Sequence, residues 1–376
     1  MLRIADIICH VLECEIEEPF GCAKYWFNKR TAMLLEIHTD TGIIGIGECN
    51  GPPQPSKTII ESFFKPLVIG EDPLNVEKIW EKLYHHSRDY GQRGMPIAAI
   101  SGIDIALWDI IGKALNQPIY KLIGGGFRDK IRPYATGLYY YKGNEKEKLQ
   151  EEAKRYVREG FKYLKLKIGK GIQEDIERVK WIKEAVGDKI FVMVDANHAY
   201  TASTAIRLGR ILEEYDIYWF EEPVIPEDIE GYKEVKAAVN IPIAGGETVF
   251  TRFGFKDLIS NRAVDIAQPC ISAAGGITEC KKIATICNTW NIPCIPHIWG
   301  TNIALAAALH FLAALPHTPP SIYPIEPLME FDRTIHPIRE QSTKKPIKID
   351  SGFVLVPQEP GLGVELNRDI ISKYSV

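Results

Sequence analysis

The pattern of apolar and polar positions changes period along the chain. Residues 4–15 alternate loosely, and two apolar runs, 31–37 and 43–48, flank the stretch His38-Thr39-Asp40-Thr41-Gly42. Asp40 and Gly42 supply turn chemistry there, so the spacing predicts a β-hairpin or meander. Between these arms, residues 19–30 read as a loop carrying Phe20, Lys24, Tyr25, Trp26, Phe27 and Arg30. From Ser56 the period lengthens to three and four, which predicts helices opening at Ser56 and over 73–84. A strongly apolar helix over 96–116, buried on most faces, follows, and Ile-Gly-Gly-Gly-Phe at 123–127 stops the segment.

Beyond this point short apolar, β-branched or aromatic runs alternate with amphipathic stretches. Predicted strands lie at 131–135, 163–168, 191–194, 217–220, 241–244, 264–267, 292–295 and 322–325. Predicted helices include 145–159, 172–186 and 201–215, the last opened by a threonine cap. Near-continuous apolar runs are those of parallel strands covered on both faces. Strands and helices alternating in units of about 20 to 30 residues predict a single α/β barrel. The expected division is an α+β domain over 1–128, a barrel over 129–345 and a C-terminal segment over 346–376 that packs back on the first domain.

Bulk properties narrow the function. The 376 residues are ample for a barrel plus a second domain. A net charge of −4 without a basic cluster argues against nucleic acid as a partner. The acidic residues of the N-terminus interrupt any signal-peptide core, and no apolar run reaches bilayer length, so a cytoplasmic protein with no membrane partner is expected. The eight cysteines form no CxxC pair and read as reduced, mostly buried thiols.

Charged residues stand at the ends of the predicted strands: Lys165 and Lys167 in FKYLKLKIG, Asp195 in FVMVDANH, Glu221 in YWFEEP and Glu247 in IPIAGGET. The three carboxylates recur at 26-residue intervals, about one βα unit, as expected for catalytic residues at the C-terminal ends of barrel strands. A lone strand-end carboxylate often only caps the next helix. Three in register repel one another and are costly to bury, which points to a cation between them. An all-oxygen, net −3 set suits Mg²⁺, or Mn²⁺ in its place. Lys165 and Lys167 are two apart on one strand and share a face. Two ammonium groups beside a dication have lowered pKa values, so one can serve as base while the other holds a substrate carboxylate.

These motifs, KxK, DAN, WFEEP and GGET, resemble the enolase superfamily in its mandelate racemase branch, over nearly the whole chain. The resemblance implies a (β/α)7β modified TIM barrel under an α+β capping domain, and proton abstraction next to a metal-bound carboxylate. It makes Lys167 the base, with Lys165 near the substrate carboxylate and Asn197 beside the metal ligands. His297 in PCIPHIWG becomes the opposite-face acid/base, and Glu326 in PIEP the carboxylic acid that hydrogen-bonds the substrate. It also implies a homo-oligomer, often an octamer. One departure stands out: where the branch has an aspartate, in a segment reading QPD, this chain has Gln268-Pro269-Cys270. Cysteine orients and activates an imidazole poorly. Either His297 is a weaker acid/base than in its relatives, or another group orients it.

Within the branch, the segments RDYGQRG, SGIDIALWDI, DANHAY, PHIWGT and PIEPLMEFDRT resemble galactarolactone cycloisomerases, and acid-sugar dehydratases share the first half-reaction. The expected activity is therefore β-elimination from the enolate of a sugar acid or lactone, with a racemase or epimerase and a non-catalytic metal-binding barrel as rivals. Substrate contacts are expected from Tyr25, Trp26, Asn50, His85, Arg88 and Asp89 of the first domain, and from Asn197 and Trp299 of the barrel.

Overall fold

A computed structural model describes residues 2–376. Its first part is a three-stranded antiparallel sheet of β1 (Ile4–Gly21), β2 (Trp26–Thr39) and β3 (Ile44–Cys49). One face of the sheet packs Ile7, Met33, Leu35 and Ile37 against Trp80 and Leu83 of the helix Val76–Ser87, and against Ile100 and Ile103 of the helix Met95–Ala114. The loop predicted over 19–30 shrinks to residues 22–25. After a register shift between Glu15 and Phe20 the strands pair again through Phe20↔Phe27 and Gly21↔Trp26, and the Phe20 and Phe27 rings meet at 5.1 Å, a cross-strand pair that extends the hairpin.

The helix Met95–Ala114 has 20 residues and is apolar enough, by length and composition, to cross a membrane, contrary to the expectation that no run would be. It is instead buried among protein. Its aspartates find partners inside: Asp104 Oδ2 accepts from Thr278 N (3.0 Å), and Asp109 accepts from Ile46 N (3.0 Å), Leu362 N (2.8 Å) and Lys113 Nζ (2.6 Å).

The barrel runs through parallel strands β4 (Lys130–Thr136), β5 (Tyr163–Lys167), β6 (Phe191–Asp195), β7 (Ile217–Glu221), β8 (Ile243–Gly245) and β9 (Ile266–Ala267). The seventh position is held only by bridges, Ala267↔Cys294 and Cys270↔His297. The eighth strand is β10 (Leu328–Asp332), which pairs with β4 and closes the ring. The strand predicted at 322–325 is thus misplaced by six residues. Ile322, Tyr323 and Ile325 are all exposed, because Pro324 and Pro327 deny this stretch the N–H groups a ladder needs. Seven helices alternate with these strands from 145 to 313, so the architecture is (β/α)7β. The barrel interior is a small core of its own, Tyr134, Met193, Trp219, Ala244, Ile266, Ile295 and Leu328, which forms a packed floor beneath the strands' C-terminal ends.

The C-terminal segment touches both parts. β11 (Ile349–Asp350) and β12 (Phe353–Leu355) form a hairpin whose second strand pairs antiparallel with β4. The helix Arg368–Tyr374 packs on β1 instead, and Arg368 binds Glu36 of β2 through both guanidinium nitrogens.

His310, on the helix Asn302–Ala313, ties the parts together. Its Nε2–H donates to Leu362 O (3.0 Å) and its Nδ1 accepts from Tyr120 N (3.3 Å). Burial lowers its pKa to about 4, and a second ring proton would point at the Tyr120 N–H. A folded pKa below the unfolded value of about 6.5 means stability is complete above pH 6.5 and is lost as pH falls toward 4, by about 3 kcal/mol in all. In urea unfolding across that window, His310→Gln is expected to lose this part of the pH slope relative to the unsubstituted protein.

Candidate active site

Register brings the charged strand ends together. Lys167 lies opposite Asp195, and Asp195 opposite Glu221, on successive parallel strands. Glu247 follows two residues after β8. Gly246, at φ 128° with no room for a Cβ against the Phe255 ring, lets the chain turn it inward. Carboxylate oxygens of Asp195, Glu221 and Glu247 then all lie within 4.8 Å of one another. This is a set of hard oxygen donors at one point, and it fits a divalent cation of the Mg²⁺ class.

The lysines balance this charge. Lys165 Nζ sits 2.6 Å from Glu221 Oε1, 2.9 Å from Glu330 Oε1 and 3.7 Å from Asp195 Oδ2, and Lys167 Nζ is 2.5 Å from Asp195 Oδ2. Glu221 Oε2 also accepts from Trp219 Nε1 and Gln268 Nε2, each at 2.9 Å. Asp195 Oδ1 accepts from Asn197 N (2.9 Å). Burial alone would strip both ammonium groups, but the neighbouring carboxylates hold Lys165 and Lys167 well above the usual lysine range. The lowered values expected from the sequence require a dication in competition for those carboxylates. Burial pushes Glu221 up to about 7 against the pull of Lys165, whereas the two lysines overcome burial at Asp195 and hold it far below the ordinary carboxylate range.

His297 faces this cluster from the seventh strand position, its Nε2 3.3 Å from Glu247 Oε2. Burial favours the neutral ring, but Glu247 and Glu330 raise its pKa to about 10. The weak basicity expected from Cys270 does not follow, because Glu247 and Glu330 supply most of the negative charge and Cys270, in contact with the ring, adds to it. The Cys270 thiol is buried and accepts from Asn50 Nδ2 at 3.3 Å.

Glu326 requires correction. It precedes β10, at the N-terminal end of the barrel, half exposed and paired with Arg128 (2.8 Å) and His317 (3.0 Å). The carboxylate at the mouth is Glu330, which is buried. Its Oε1 meets Lys165 and Thr136 Oγ1, and its Oε2 accepts from Ile298 N (2.8 Å). Burial would raise its pKa, but Lys165 and His297 hold it down near 2. The signal was present in LMEFD, where alternation turns Leu328 and Glu330 to the same face.

A small cavity of about 130 Å³ opens above the cluster. Of the predicted substrate contacts, Tyr25, Asn50, Asn197 and Trp299 line it beside Lys167, Glu247, His297 and Glu330. Lys24, Phe27 and Tyr139 line it too. The sequence reading had no role for Tyr139, whose ring lies 5.2 Å from Lys167 Nζ. Trp26 does not line it; its ring is half exposed, against Gly21 and 5.5 Å from Lys142 Nζ. Nor do His85, Arg88 and Asp89. His85 lies 3.5 Å from Glu81, Arg88 covers the Tyr84 ring at 5.1 Å, and Asp89 sits in an exposed turn. Their helix faces the flank of the barrel, where Arg252 binds Glu81 (2.9 Å).

The capping sheet fixes the wall opposite. Glu48 of β3 accepts from Thr301 N (2.8 Å), Thr301 Oγ1 (2.6 Å) and Ala304 N (3.0 Å), so it caps the helix that follows His297 and Trp299. Arg30 of β2 stacks on Trp299 at 4.0 Å and binds Asp332 at 3.2 Å.

Residues 148–370 match the family described as enolase C-terminal domain-like, and residues 6–124 match the mandelate racemase / muconate lactonizing enzyme N-terminal domain. The chain belongs to the enolase superfamily. It is 42% identical to the D-galactarolactone cycloisomerase of Agrobacterium fabrum over 376 residues, 99% of each chain. It is 40% identical to the arabinonate dehydratase of Saccharolobus solfataricus over 345 residues, 91% of this chain and 90% of the other. The crystal structure of the 3,6-anhydro-D-galactonate cycloisomerase from Zobellia galactanivorans superposes with a TM-score of 0.91 at 42% identity, covering 100% and 99% of the two chains. A racemase from Streptomyces coelicolor with bound magnesium superposes at 0.89 with 27% identity, covering 99% and 100%. In this enolase-superfamily chain, Glu330→Gln is expected to lower turnover roughly 100-fold through lost charge at the reacting centre. Glu326→Gln should stay within about twofold in the same steady-state assay, since it touches only Arg128 and His317.

Proposed function

We propose that this protein is a Mg²⁺-dependent sugar-acid enzyme that opens a sugar lactone by β-elimination. The observation that carries this reading is the convergence of Lys167, His297, Glu330 and the three strand-end carboxylates on one cavity. Asp195, Glu221 and Glu247 would hold the cation, with Mn²⁺ an acceptable replacement, and the magnesium in the Streptomyces coelicolor racemase structure supports the assignment. Bound there, Mg²⁺ supplies positive charge that acidifies the proton α to a carboxylate and competes with Lys167 for Asp195.

The residues divide the rest. Lys167, inside the cavity, takes the α-proton on its amine. Lys165 stays charged between Glu221 and Glu330 and supports the negative charge that moves onto the substrate carboxylate. As the Cα=Cβ bond forms and the β C–O bond breaks, His297 delivers its proton to the departing oxygen. Glu247 and Glu330 keep that proton on His297 until it is needed. If the departing oxygen belongs to a ring, the lactone opens; if it is a hydroxyl, water leaves. The 40% identity to an arabinonate dehydratase supports the second outcome as the alternative. A racemase would return the proton to Cα from the opposite face, which a protonated His297 also allows, so the preference for elimination rests on the 42% and 40% identities to a cycloisomerase and a dehydratase. Tyr25, Asn50 and Trp299 mix hydroxyl, amide and aromatic surface in the way a polyol recognises, and a site built to hydrogen-bond hydroxyls discriminates strongly. The reading extends to a homo-oligomer, up to an octamer, in the cytoplasm, where eight unpaired cysteines are at home.

The test is a panel of aldonic acids, aldaric acids and their lactones, with Mg²⁺ and with EDTA. At least one lactone or acid should yield a keto-deoxy product only with Mg²⁺, and Lys167→Ala should lower that turnover by at least about 1,000-fold. Normal turnover by Lys167→Ala, or metal-independent product, would overturn the reading.

A further inference from the structure

Next to the three strand-end ligands lies a second group that the proposed reaction leaves unused. His198 follows Asn197 beyond β6, and Glu222 follows Glu221 at the end of β7. Their backbones are joined by His198 N donating to Glu222 O (2.9 Å). One ligand atom from each of His198, Glu222 and Glu247 lies within 4.8 Å of the others, so Glu247 belongs to both triads.

These side chains are buried and incompletely partnered. Glu222 is 1% exposed and neither carboxylate oxygen has a hydrogen bond, and the same holds for both ring nitrogens of His198, whose side chain is 9% exposed. His198 Nε2 comes within 3.0 Å of Glu222 Oε2, out of line for a hydrogen bond. With that contact counted as an ion pair and the His198 ring reaching the Val224 backbone, Glu222 Oε1 remains without a partner. A buried carboxylate in this condition costs several kcal/mol relative to one that is paired. Among the described residues Lys24 is the ammonium facing both groups, but it is exposed, at the tip of the capping hairpin, and makes no ion pair with either.

We propose that His198, Glu222 and Glu247 form a second divalent-cation site, with Glu247 bridging it to the first. Its imidazole distinguishes it chemically. A mixed nitrogen and oxygen set favours a borderline ion such as Mn²⁺ or Zn²⁺, where the all-oxygen triad suits Mg²⁺. The proposal rests on the proposed function for its first site, through the shared Glu247.

Mn²⁺ titration of the full chain, stripped of metal, separates the outcomes. Isothermal titration is expected to give two Mn²⁺ per chain. The electron paramagnetic resonance signal should broaden as the second ion binds, since two ions sharing a carboxylate couple. Glu222→Gln and His198→Asn should each hold one Mn²⁺ with the signal unbroadened, and circular dichroism identifies a variant that fails to fold. One Mn²⁺ in the unsubstituted protein overturns the second site and leaves the proposed function standing. Two Mn²⁺ in both variants overturns the assignment of ligands. No binding at all overturns the metal-dependent reading itself.

Discussion

Everything at the mouth of this barrel depends on how negative charge is kept out of water. Asp195, Glu221 and Glu330 are each about 1% exposed or less, and Lys165 between them is 1% exposed. Isolated carboxylates at such depth would be driven neutral. Asp195 and Glu330 stay ionised because each meets an ammonium and an aimed N–H donor, whereas Glu221, pushed up to about 7, is the carboxyl at which burial gains on the lysines. The layer below supports this arrangement. Tyr134 and Trp219 meet edge to face at 5.2 Å, and the indole N–H of Trp219 reaches up to Glu221. The packed floor therefore holds the charged layer in place as well as filling the barrel.

The balance is one a cation can enter. Lysines that neutralise carboxylates through direct contact are displaced from that role, not from their positions, when a dication takes over the charge. A site of this kind is poised by competition between bound cation and lysine for a fixed set of oxygens, and His297 joins it from the other side through Glu247 and Glu330. An aspartate at position 270 is dispensable for this reason: most of the charge that tunes the histidine comes from two carboxylates whose other contacts already hold them. Cys270, with its Asn50 contact, is left as a buried link between the barrel and the capping segment.

Those links make the cavity a property of both domains. Glu48 and Arg30 leave the capping sheet to cap a barrel helix and to clamp Trp299 and Asp332. At the turn after β5, Gly169 allows the hairpin tip to approach: a Cβ there would lie 2.7 Å from Ala23 and 2.8 Å from Ala199. The reacting groups belong to rigid strand ends, whereas Tyr25 and Asn50 arrive on capping loops. Chemistry and selectivity can therefore vary separately, which fits a family whose members here include both cycloisomerases and dehydratases.

The sequence by itself determined the chemistry-bearing strands. Apolar runs ending in Lys165, Lys167, Asp195, Glu221 and Glu247 were legible because a buried parallel strand leaves a strong local signature, and a charge at its end has few ordinary explanations. What local pattern could not decide was anything set by contacts distant in sequence. The eighth strand was misplaced because proline-bounded residues 322–325 look as apolar as a strand, and only closure against β4 shows that Leu328–Asp332 carries the ladder, and so that Glu330 rather than Glu326 reaches the mouth. The helix Val76–Ser87 was legible as a helix, but the polar turn after it, with His85, Arg88 and Asp89, reads as a binding loop until packing places it on the barrel's flank. The basicity of His297 likewise depends on two carboxylates, 50 and 33 residues away along the chain, that only the folded barrel brings beside it. Periodicity records what each segment buries; which segments meet is decided by ring closure and charge balance, and these exist only in three dimensions.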